Sequence, residues 1–358
     1  MDLNKDETIE QEEILTTTVE GKQQGMILFS LETNHDELCF SQIRSFEKFK
    51  ITIGLENLTE EDLKDFDIIF SASSDFVSEF KDIIIEGSVH KASSSSNIFS
   101  KTIEVNLNQT SFKGLTEDAT ETITAFLKNS QGENIGRQEL FVTLKPEDYW
   151  DGTPQSLPVF IKRNDPSIRN LLHLVGQAME QLAGNSALVA YQSQNPDIVK
   201  KQCAAIYSVL QNQNLTYTEP LASNSLSGQR IRSCQEIFKN KVATCLDTTL
   251  LYCSISECIG LHPIICILEG HAFPGVWLDD TLQFNSVVHD DPSDITQNAN
   301  QQLCIVESTL LTQHPFVPFE DACNKAFEKA ENAENLRIVD VHLARMQRVL
   351  PLPYRELA

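Results

Sequence analysis

The sequence has few basic residues, with 28 Lys and Arg against 51 Asp and Glu and a formal net charge of -23. A protein that binds DNA or RNA gains much of its affinity from basic side chains that neutralise phosphates. No dense Lys/Arg run occurs along this chain. We therefore predict no direct binding of nucleic acid.

The sequence also lacks an apolar run of about 18 residues, which a transmembrane helix needs. The first residues, MDLNKDETIEQEE, are acidic and have neither the basic start nor the apolar core of a signal peptide. These two absences predict a cytoplasmic protein that does not associate with a membrane.

Paired CxxC motifs are absent, and the nine cysteines are an odd number. This pattern disfavours a disulfide framework and is typical of a reducing compartment, where most cysteines are small buried residues and one can be reactive. The five cysteines between positions 245 and 304 lie in one apolar stretch, but their spacing is not that of zinc knuckles. We expect neither a metal site nor a cofactor.

The length of the chain and a change in hydrophobic periodicity predict an α+β protein with two domains after a tail. Residues 1–24 are polar and aperiodic, which predicts a disordered acidic tail. Residues 25–148 alternate apolar and polar positions between turn signals, which predicts an antiparallel β-sandwich domain. The predicted strands are FKITIGL (49–55), DIIFSAS (67–73), KDIIIEGSVH (81–90), KTIEVNL (101–107), ETITAFL (121–127) and QELFVTL (138–144).

Residues 149–358 form the second predicted domain, which follows a connector with three prolines (145–158). Its periodicity changes between helical and strand-like, so we predict an α+β domain. After two amphipathic helices, the predicted elements are a helix (245–259), strands (263–269, 271–278 and 303–308), a helix (319–331) and a closing strand (337–341).

The segment KVATCLDTTLLYCSISECIGLHPIICILEGHAFPGVWL (241–278) carries most of the chemical information. Thr244 is a good N-cap, and Asp247 three residues later completes a capping-box pattern. This pattern predicts that Cys245 takes the first position of a helix, where the helix dipole favours a thiolate over a thiol. Cys245 is therefore the candidate nucleophile.

His271 is the candidate base, because it begins the strand after the buried segment HPIICILE (262–269) and is predicted to meet Cys245 at one sheet edge. A carboxylate on the second imidazole nitrogen would orient such a base. Glu307 is the first candidate, in the segment CIVESTLL (304–311), which we predict to be the neighbouring strand. Three other carboxylates stay open as alternatives: Asp290, Asp291 and Asp294.

Hydrogen-bond donors are also needed, because a nucleophilic attack on an amide produces an anionic tetrahedral intermediate. The backbone N–H of Cys245 is one candidate donor. The amide side chain of Gln229, in SGQRIR (227–232), is the second. Gln229 therefore completes the predicted set of site residues.

With these residues identified, the region resembles the transglutaminase-like cysteine peptidases of papain-like fold. More specifically, residues from about 150 to 353 resemble the N-terminal region of large bacterial helicase-containing proteins, a domain of unassigned function. The preceding strand-rich segment is similar more weakly. The resemblance lies in YQSQNPDIVKKQCAAIYSVLQ (191–211), GQRIRSCQEIF (228–238), ATCLDTTLLYCSISECIGLHPIICILEGHAFPGVWL (243–278), VESTLLT (306–312) and RIVDVHLARMQRVLPLP (337–353).

The resemblance implies a papain-like fold with Cys245 as nucleophile, His271 as base and an acid on the following strand. It also implies a role in bacterial defence or mobile-element conflict and a helicase or nuclease partner. The sequence departs from the family pattern in two places. Pro274 is expected to interrupt the strand after His271, and the acid is Glu307 where Asp is usual.

We predict a cysteine-nucleophile hydrolase that acts on amide bonds of a protein substrate, with proteolysis as the first expectation. A transglutaminase or a deamidase would use the same thioester intermediate, so both stay open. Arylamine-type acyl transfer would use the same three residues. The alternative from another class is a catalytically inactive module that serves as a protein-interaction scaffold for a helicase or nuclease.

Overall fold

The computed structural model describes residues 11–19, 22–44, 48–77, 80, 83–220, 228–282, 284–291 and 302–353. These residues form a mixed α+β protein, which confirms the predicted fold class. The chain divides into two compact units, Met1–Glu147 and Asp148–Ala358. Within the described ranges, no helix is both long enough and apolar enough to cross a bilayer.

The first unit consists of two β-sheets with short helical segments between them. One sheet is antiparallel, with the strand order β1 (Gln11–Val19), β2 (Lys22–Thr33), β4 (Phe49–Asn57) and β7 (Ile98–Val105). The other has the order β3 (Glu37–Leu38), β9 (Asn134–Leu144), β8 (Ala119–Lys128), β5 (Leu63–Ala72) and β6 (Ile84–Val89). Helix α1 (Phe40–Arg44) and a 3₁₀ helix (Gln109–Phe112) lie in the connections.

The two sheets of the first unit pack against each other through their apolar faces. In β4, every second residue from Phe49 to Asn57 is buried, as expected for a strand with one face in the core. Phe66 of β5 meets Phe99 of β7 edge to face, with ring centroids 5.2 Å apart. The six strands predicted from the alternating pattern are confirmed.

The structure differs from the predicted disordered tail at residues 1–24. Gln11–Val19 pairs antiparallel with β2, and β2 itself begins at Lys22. The segment ILTTTV (14–19) is rich in β-branched residues, which favour a strand. Residues 1–10, 20 and 21 lie outside the described residues.

The second unit is built around an antiparallel sheet. Its strand order is β16 (Val288–His289), β18 (Arg337–Asp340), β14 (Pro263–Leu268), β15 (His271–Trp277) and β17 (Leu303–Ile305). Shorter pairs join β10 (Tyr149–Trp150) to β12 (Gln229–Arg230) and β11 (Thr216–Tyr217) to β13 (Val242–Ala243). The helices are α2 (Pro166–Ala183), α3 (Pro196–Gln211), α4 (Cys234–Asn240), α5 (Cys245–Cys258), α6 (Phe319–Glu331) and α7 (Val341–Met346), with 3₁₀ helices at Pro154–Phe160 and Ser308–Thr312.

Helix α5 is the centre of the second unit. All of its residues from Cys245 to Ser256 are buried, and it packs against α2, α3, β14 and β15. Its Leu251, Tyr252 and Ile255 join one core cluster with residues of α2 and α3. The Ser and Thr hydroxyls buried on the helix donate to backbone carbonyls one turn earlier, which satisfies them inside the core. This enclosure fixes Cys245 relative to the sheet.

The predicted connector (145–158) is folded from Asp148 onwards. Tyr149 and Trp150 pair with β12, and the following 3₁₀ helix buries Leu157, Val159 and Phe160. These apolar residues would be exposed in a free linker, and their burial explains why the segment packs onto the second unit.

The expectation that Pro274 interrupts the strand after His271 is wrong. The strand β15 runs through Pro274, whose carbonyl accepts the N–H of Val306 at 2.9 Å. In a strand, the N–H and the C=O of one residue point to the same side, so the N–H that Pro274 lacks would point towards β17. On that side β17 has already ended at Ile305. At the next residue, Gly275, a Cβ would lie 2.8 Å from Ile264 Cγ1 and 2.9 Å from Ile305 Cγ2.

Candidate active site

Cys245 takes the first position of α5, as the capping pattern predicts. The hydroxyl of Thr244 accepts the N–H of Asp247 at 3.0 Å, and Oδ2 of Asp247 accepts the N–H of Thr244 at 2.9 Å. The thiol therefore lies at the positive end of the helix dipole. Only 6% of the surface of Cys245 is exposed, so the residue is buried but retains some contact with solvent.

Asp247 has a second role besides capping the helix. Its carboxylate is fully buried and accepts the guanidinium of Arg232 at 2.8 Å and the Arg232 backbone N–H at 3.0 Å. These bonds compensate the buried charge, and they tie the segment after Gln229 to the start of α5. Arg232 therefore couples two parts of the site.

His271, at the start of β15, contacts both of its predicted partners. Its Nε2 lies 3.0 Å from Oε2 of Glu307, and its ring lies close enough to Cys245 for the thiol to raise the pKa of the imidazole. Because Nε2 faces the carboxylate, Nδ1 is the ring nitrogen left for the thiol. The structure thus brings Cys245, His271 and Glu307 together.

Glu307 lies just beyond β17, and the prediction of a strand through residue 308 is wrong. The residue is instead the N-cap of the 3₁₀ helix Ser308–Thr312. Its Oε1 accepts the backbone N–H of Thr309 at 3.0 Å and the Thr309 hydroxyl at 2.6 Å, which leaves Oε2 for His271. Local capping therefore orients the carboxylate towards the imidazole.

The remaining predicted residues come from other elements of the fold. Asp290 and Asp291 are exposed beyond β16, and Asp294 lies outside the described residues. Gln229 is half-buried on β12, and its Nε2 is buried without a hydrogen-bond partner within the described part of the chain. Gln229 Nε2 thus makes no hydrogen bond to Cys245, His271 or Glu307 and is a free donor.

Two residues of the site have no signal in the sequence motifs. Lys329 of α6 places Nζ 3.0 Å from His271 Nε2 and 3.1 Å from Glu307 Oε2. Tyr217, whose strand β11 pairs with the residues just before α5, lies near enough to Cys245 for the two groups to interact electrostatically. Burial raises the pKa of Tyr217 to about 12, so its hydroxyl stays protonated near neutral pH.

The electrostatics of the cluster favour an ion pair. Burial opposes the charged form of His271, but hydrogen bonds to Cys245 and Glu307 outweigh it and raise the pKa of His271 to about 9. Burial would likewise raise the pKa of Glu307, but hydrogen bonds from His271 and Thr309 lower it to about 2. At neutral pH the imidazole is therefore positive and the carboxylate negative.

This arrangement can hold a protonated imidazole next to a thiol, which is what a nucleophilic cysteine requires. Among the residues with described positions, no group of three or more His, Cys, Asp or Glu side chains is placed to hold a metal ion.

The ion pair predicts that stability falls as the pH rises. The pKa of His271 is raised from 6.5 to about 9, so its contribution is fully present below 6.5 and is lost as the pH rises through about 9. We expect a loss of about 3 kcal/mol in the free energy of unfolding between these limits. Urea unfolding of the wild type at neutral and alkaline pH measures the loss.

Glu307→Gln is the control for this pH effect, because it keeps the shape of the side chain and removes the charge that, together with Cys245, raises the pKa of His271. In this variant the loss at alkaline pH is expected to be clearly smaller. An identical pH dependence in the two proteins would contradict an ion pair between His271 and Glu307.

Comparison with known proteins gives only a distant structural likeness. Neither the family models nor the curated proteins give a match. The crystal structure of red sea bream transglutaminase is 11% identical, with a TM-score of 0.19, and the match covers 75% of this chain and 49% of that one. A candidate protease from Parabacteroides distasonis is 8% identical, with a TM-score of 0.22 and coverage of 79% and 66%.

This chain therefore spans about half the length of the red sea bream enzyme and 66% of the Parabacteroides protein. Both TM-scores lie below 0.5, so we draw no functional conclusion from either likeness. Any conclusion about function has to come from the side chains of the site.

Proposed function

We propose that the chain is a cysteine-nucleophile hydrolase of amide bonds, with proteolysis as its reaction. One observation carries the proposal: the imidazole of His271 contacts the thiol of Cys245 and, at 3.0 Å, the carboxylate of Glu307. A nucleophile, a base and an orienting acid in this order are the arrangement that thiol-dependent acyl transfer requires.

In the proposed reaction, the thiolate of Cys245 attacks the carbonyl carbon of the amide. A C–S bond forms, and the carbonyl π electrons move to the oxygen. The imidazolium of His271 then gives its proton to the nitrogen as the C–N bond breaks, and the amine leaves. Water, deprotonated by His271, hydrolyses the resulting thioester, which releases the carboxylic acid and restores the thiolate–imidazolium pair.

The proposed oxyanion donors are the backbone N–H of Cys245 and the side-chain amide of Gln229. The first N–H groups of a helix have no partner within the helix, so that of Cys245 is free to bind an anion. The buried Nε2 of Gln229 also has no partner in the described structure, which is costly unless a ligand supplies one. Both features support a binding site for negative charge.

The choice of reaction, the substrate, the partner and the biological role are part of the same proposal. Deamidation and cross-linking proceed through the same thioester and differ in whether water or an amine resolves it. A protein substrate, a helicase or nuclease partner and a role in bacterial defence rest on the sequence resemblance alone and stay predictions.

A peptide library tests the proposal directly. We expect wild-type protein to cleave library peptides and produce new termini, and Cys245→Ala to abolish this cleavage. Mass spectrometry measures the products and also detects deamidated glutamine or, with an added primary amine, a cross-linked product.

Cys258→Ala is the matched control, because Cys258 lies at the other end of the same helix and is only partly buried. This variant is expected to retain full activity. Products that form equally with Cys245→Ala would contradict Cys245 as the nucleophile. Deamidated products without cleaved products would show that the reaction is deamidation and not proteolysis.

A further inference from the structure

Lys329 contacts both members of the His271–Glu307 pair. Its Nζ lies 3.0 Å from Nε2 of His271 and 3.1 Å from Oε2 of Glu307, and these two atoms are themselves 3.0 Å apart. The three polar atoms thus form a nearly equilateral triangle. The side chain of Glu307 is 1% exposed and that of Lys329 is 33% exposed, so the carboxylate is buried and the lysine side chain lies at the surface end of the cluster.

The three contacts of this triangle cannot all be favourable in one protonation state. When both ring nitrogens of His271 carry a proton, Nε2 donates to Glu307, and the positive imidazole then lies 3.0 Å from the positive ammonium of Lys329. When Nε2 carries no proton, it accepts a hydrogen bond from the ammonium of Lys329, and the imidazole is neutral. Lys329 therefore favours the neutral imidazole.

We propose that Lys329 is a positioning residue that competes with His271 for Glu307 and so limits the pH range in which the imidazole is charged. This inference rests on the proposed function, because the charged imidazole is the partner of the Cys245 thiolate in that reaction. Lys329 acts through His271 and Glu307 and is not assigned a contact with the substrate.

The groups around His271 act in opposite directions. Cys245 from α5 and Glu307 from the 3₁₀ helix raise the pKa of His271, whereas burial and the charge of Lys329 from α6 lower it. The neighbouring ring of Phe273, at 6.0 Å, is uncharged. Removing the charge of Lys329 should therefore raise the pKa of His271 above its value of about 9.

The chain offers a matched control on the same helix. Lys325 lies one turn before Lys329, and its Nζ is 2.8 Å from Glu328 on the exposed side of α6. Replacing Lys325 removes the same charge from the protein without removing a contact to His271. A difference between the two lysine variants therefore reports the local contact and not the net charge.

The experiment is an NMR titration of full-length protein labelled at histidine Cε1, with the His271 signal assigned by its loss in His271→Gln. We expect Lys329→Met to raise the pKa of His271 by about one unit. Lys325→Met and the charge-conserving Lys329→Arg are expected to leave it near the wild-type value. Lys329→Gln serves as a second neutral variant if Lys329→Met does not fold.

An unchanged pKa of His271 in the neutral Lys329 variants would overturn the inference, and so would equal shifts with Lys325→Met. Site-resolved alkylation of the same samples separates this failure from that of the proposed function. If Cys245 reacts selectively and its reaction depends on His271, only the role of Lys329 is lost. If Cys245 does not react selectively in the wild type, the proposed function fails, and the inference fails with it.

Discussion

Replacing His271 with Ala is expected to lower the rate of Cys245 alkylation near pH 6 by on the order of 100-fold. The imidazolium of His271 and the N-terminus of α5 both favour a thiolate at position 245. Without the imidazolium, the thiol loses the neighbouring group that takes up its proton, so its reaction with the reagent should slow. Iodoacetamide rates between about pH 5 and 9, with peptide mapping of all nine cysteines, measure the effect.

The other cysteines are internal controls in the same experiment. Cys203, Cys253 and Cys266 have no exposed surface and are expected to react slowly in both proteins. Equal labelling of Cys245 in wild type and His271→Ala would contradict an activated pair. Absent labelling in both would favour the catalytically inactive scaffold over the enzyme.

Asp247→Ala is expected to lower the free energy of unfolding of the second unit by about 3 to 5 kcal/mol. The substitution removes the cap from Thr244 and leaves the guanidinium of Arg232, which is 20% exposed, without its carboxylate. Urea denaturation measures the loss. Because the same bonds position the first turn of α5, alkylation of Cys245 should also slow in folded Asp247→Ala protein.

Glu236→Ala separates the two contributions. Glu236 closes a capping box with Ser233 at the start of α4, as Asp247 does with Thr244, but it is not fully buried. We expect this variant to lose about 1 kcal/mol, the usual cost of a lost cap. Equal losses for Asp247→Ala and Glu236→Ala would show that the buried ion pair adds nothing.

The parts of the site that follow from local rules could be predicted from the sequence. The Thr244 and Asp247 spacing predicts the start of α5, because capping depends on residues three positions apart. The alternating segments likewise predict the strands of the first unit. Contact between Cys245, His271 and Glu307 follows from the order of helix and strands, although the catalytic roles of these residues stay predictions.

The parts that depend on distant contacts could not be predicted. Glu307 orients its carboxylate by capping a 3₁₀ helix, and the sequence around it fits a strand equally well. Lys329 reaches the site from a helix 58 positions beyond His271. Tyr217 does so from a two-residue strand, too short to give a periodic pattern. Pro274 does not break its strand, because its missing N–H faces the place where the neighbouring strand has already ended. The sequence does not show where that neighbouring strand ends.

The absence of a side chain at Gly275 has a consequence for judging relatives of this protein. Because no Cβ separates them, Ile264 and Ile305 approach each other across the strand that carries His271. A larger residue at 275 would push β17, and with it Glu307, away from the imidazole. A homologue with a larger residue at 275 would then keep the cysteine, the histidine and the glutamate in an alignment but lack the contact between them, so position 275 has to be compared together with these three.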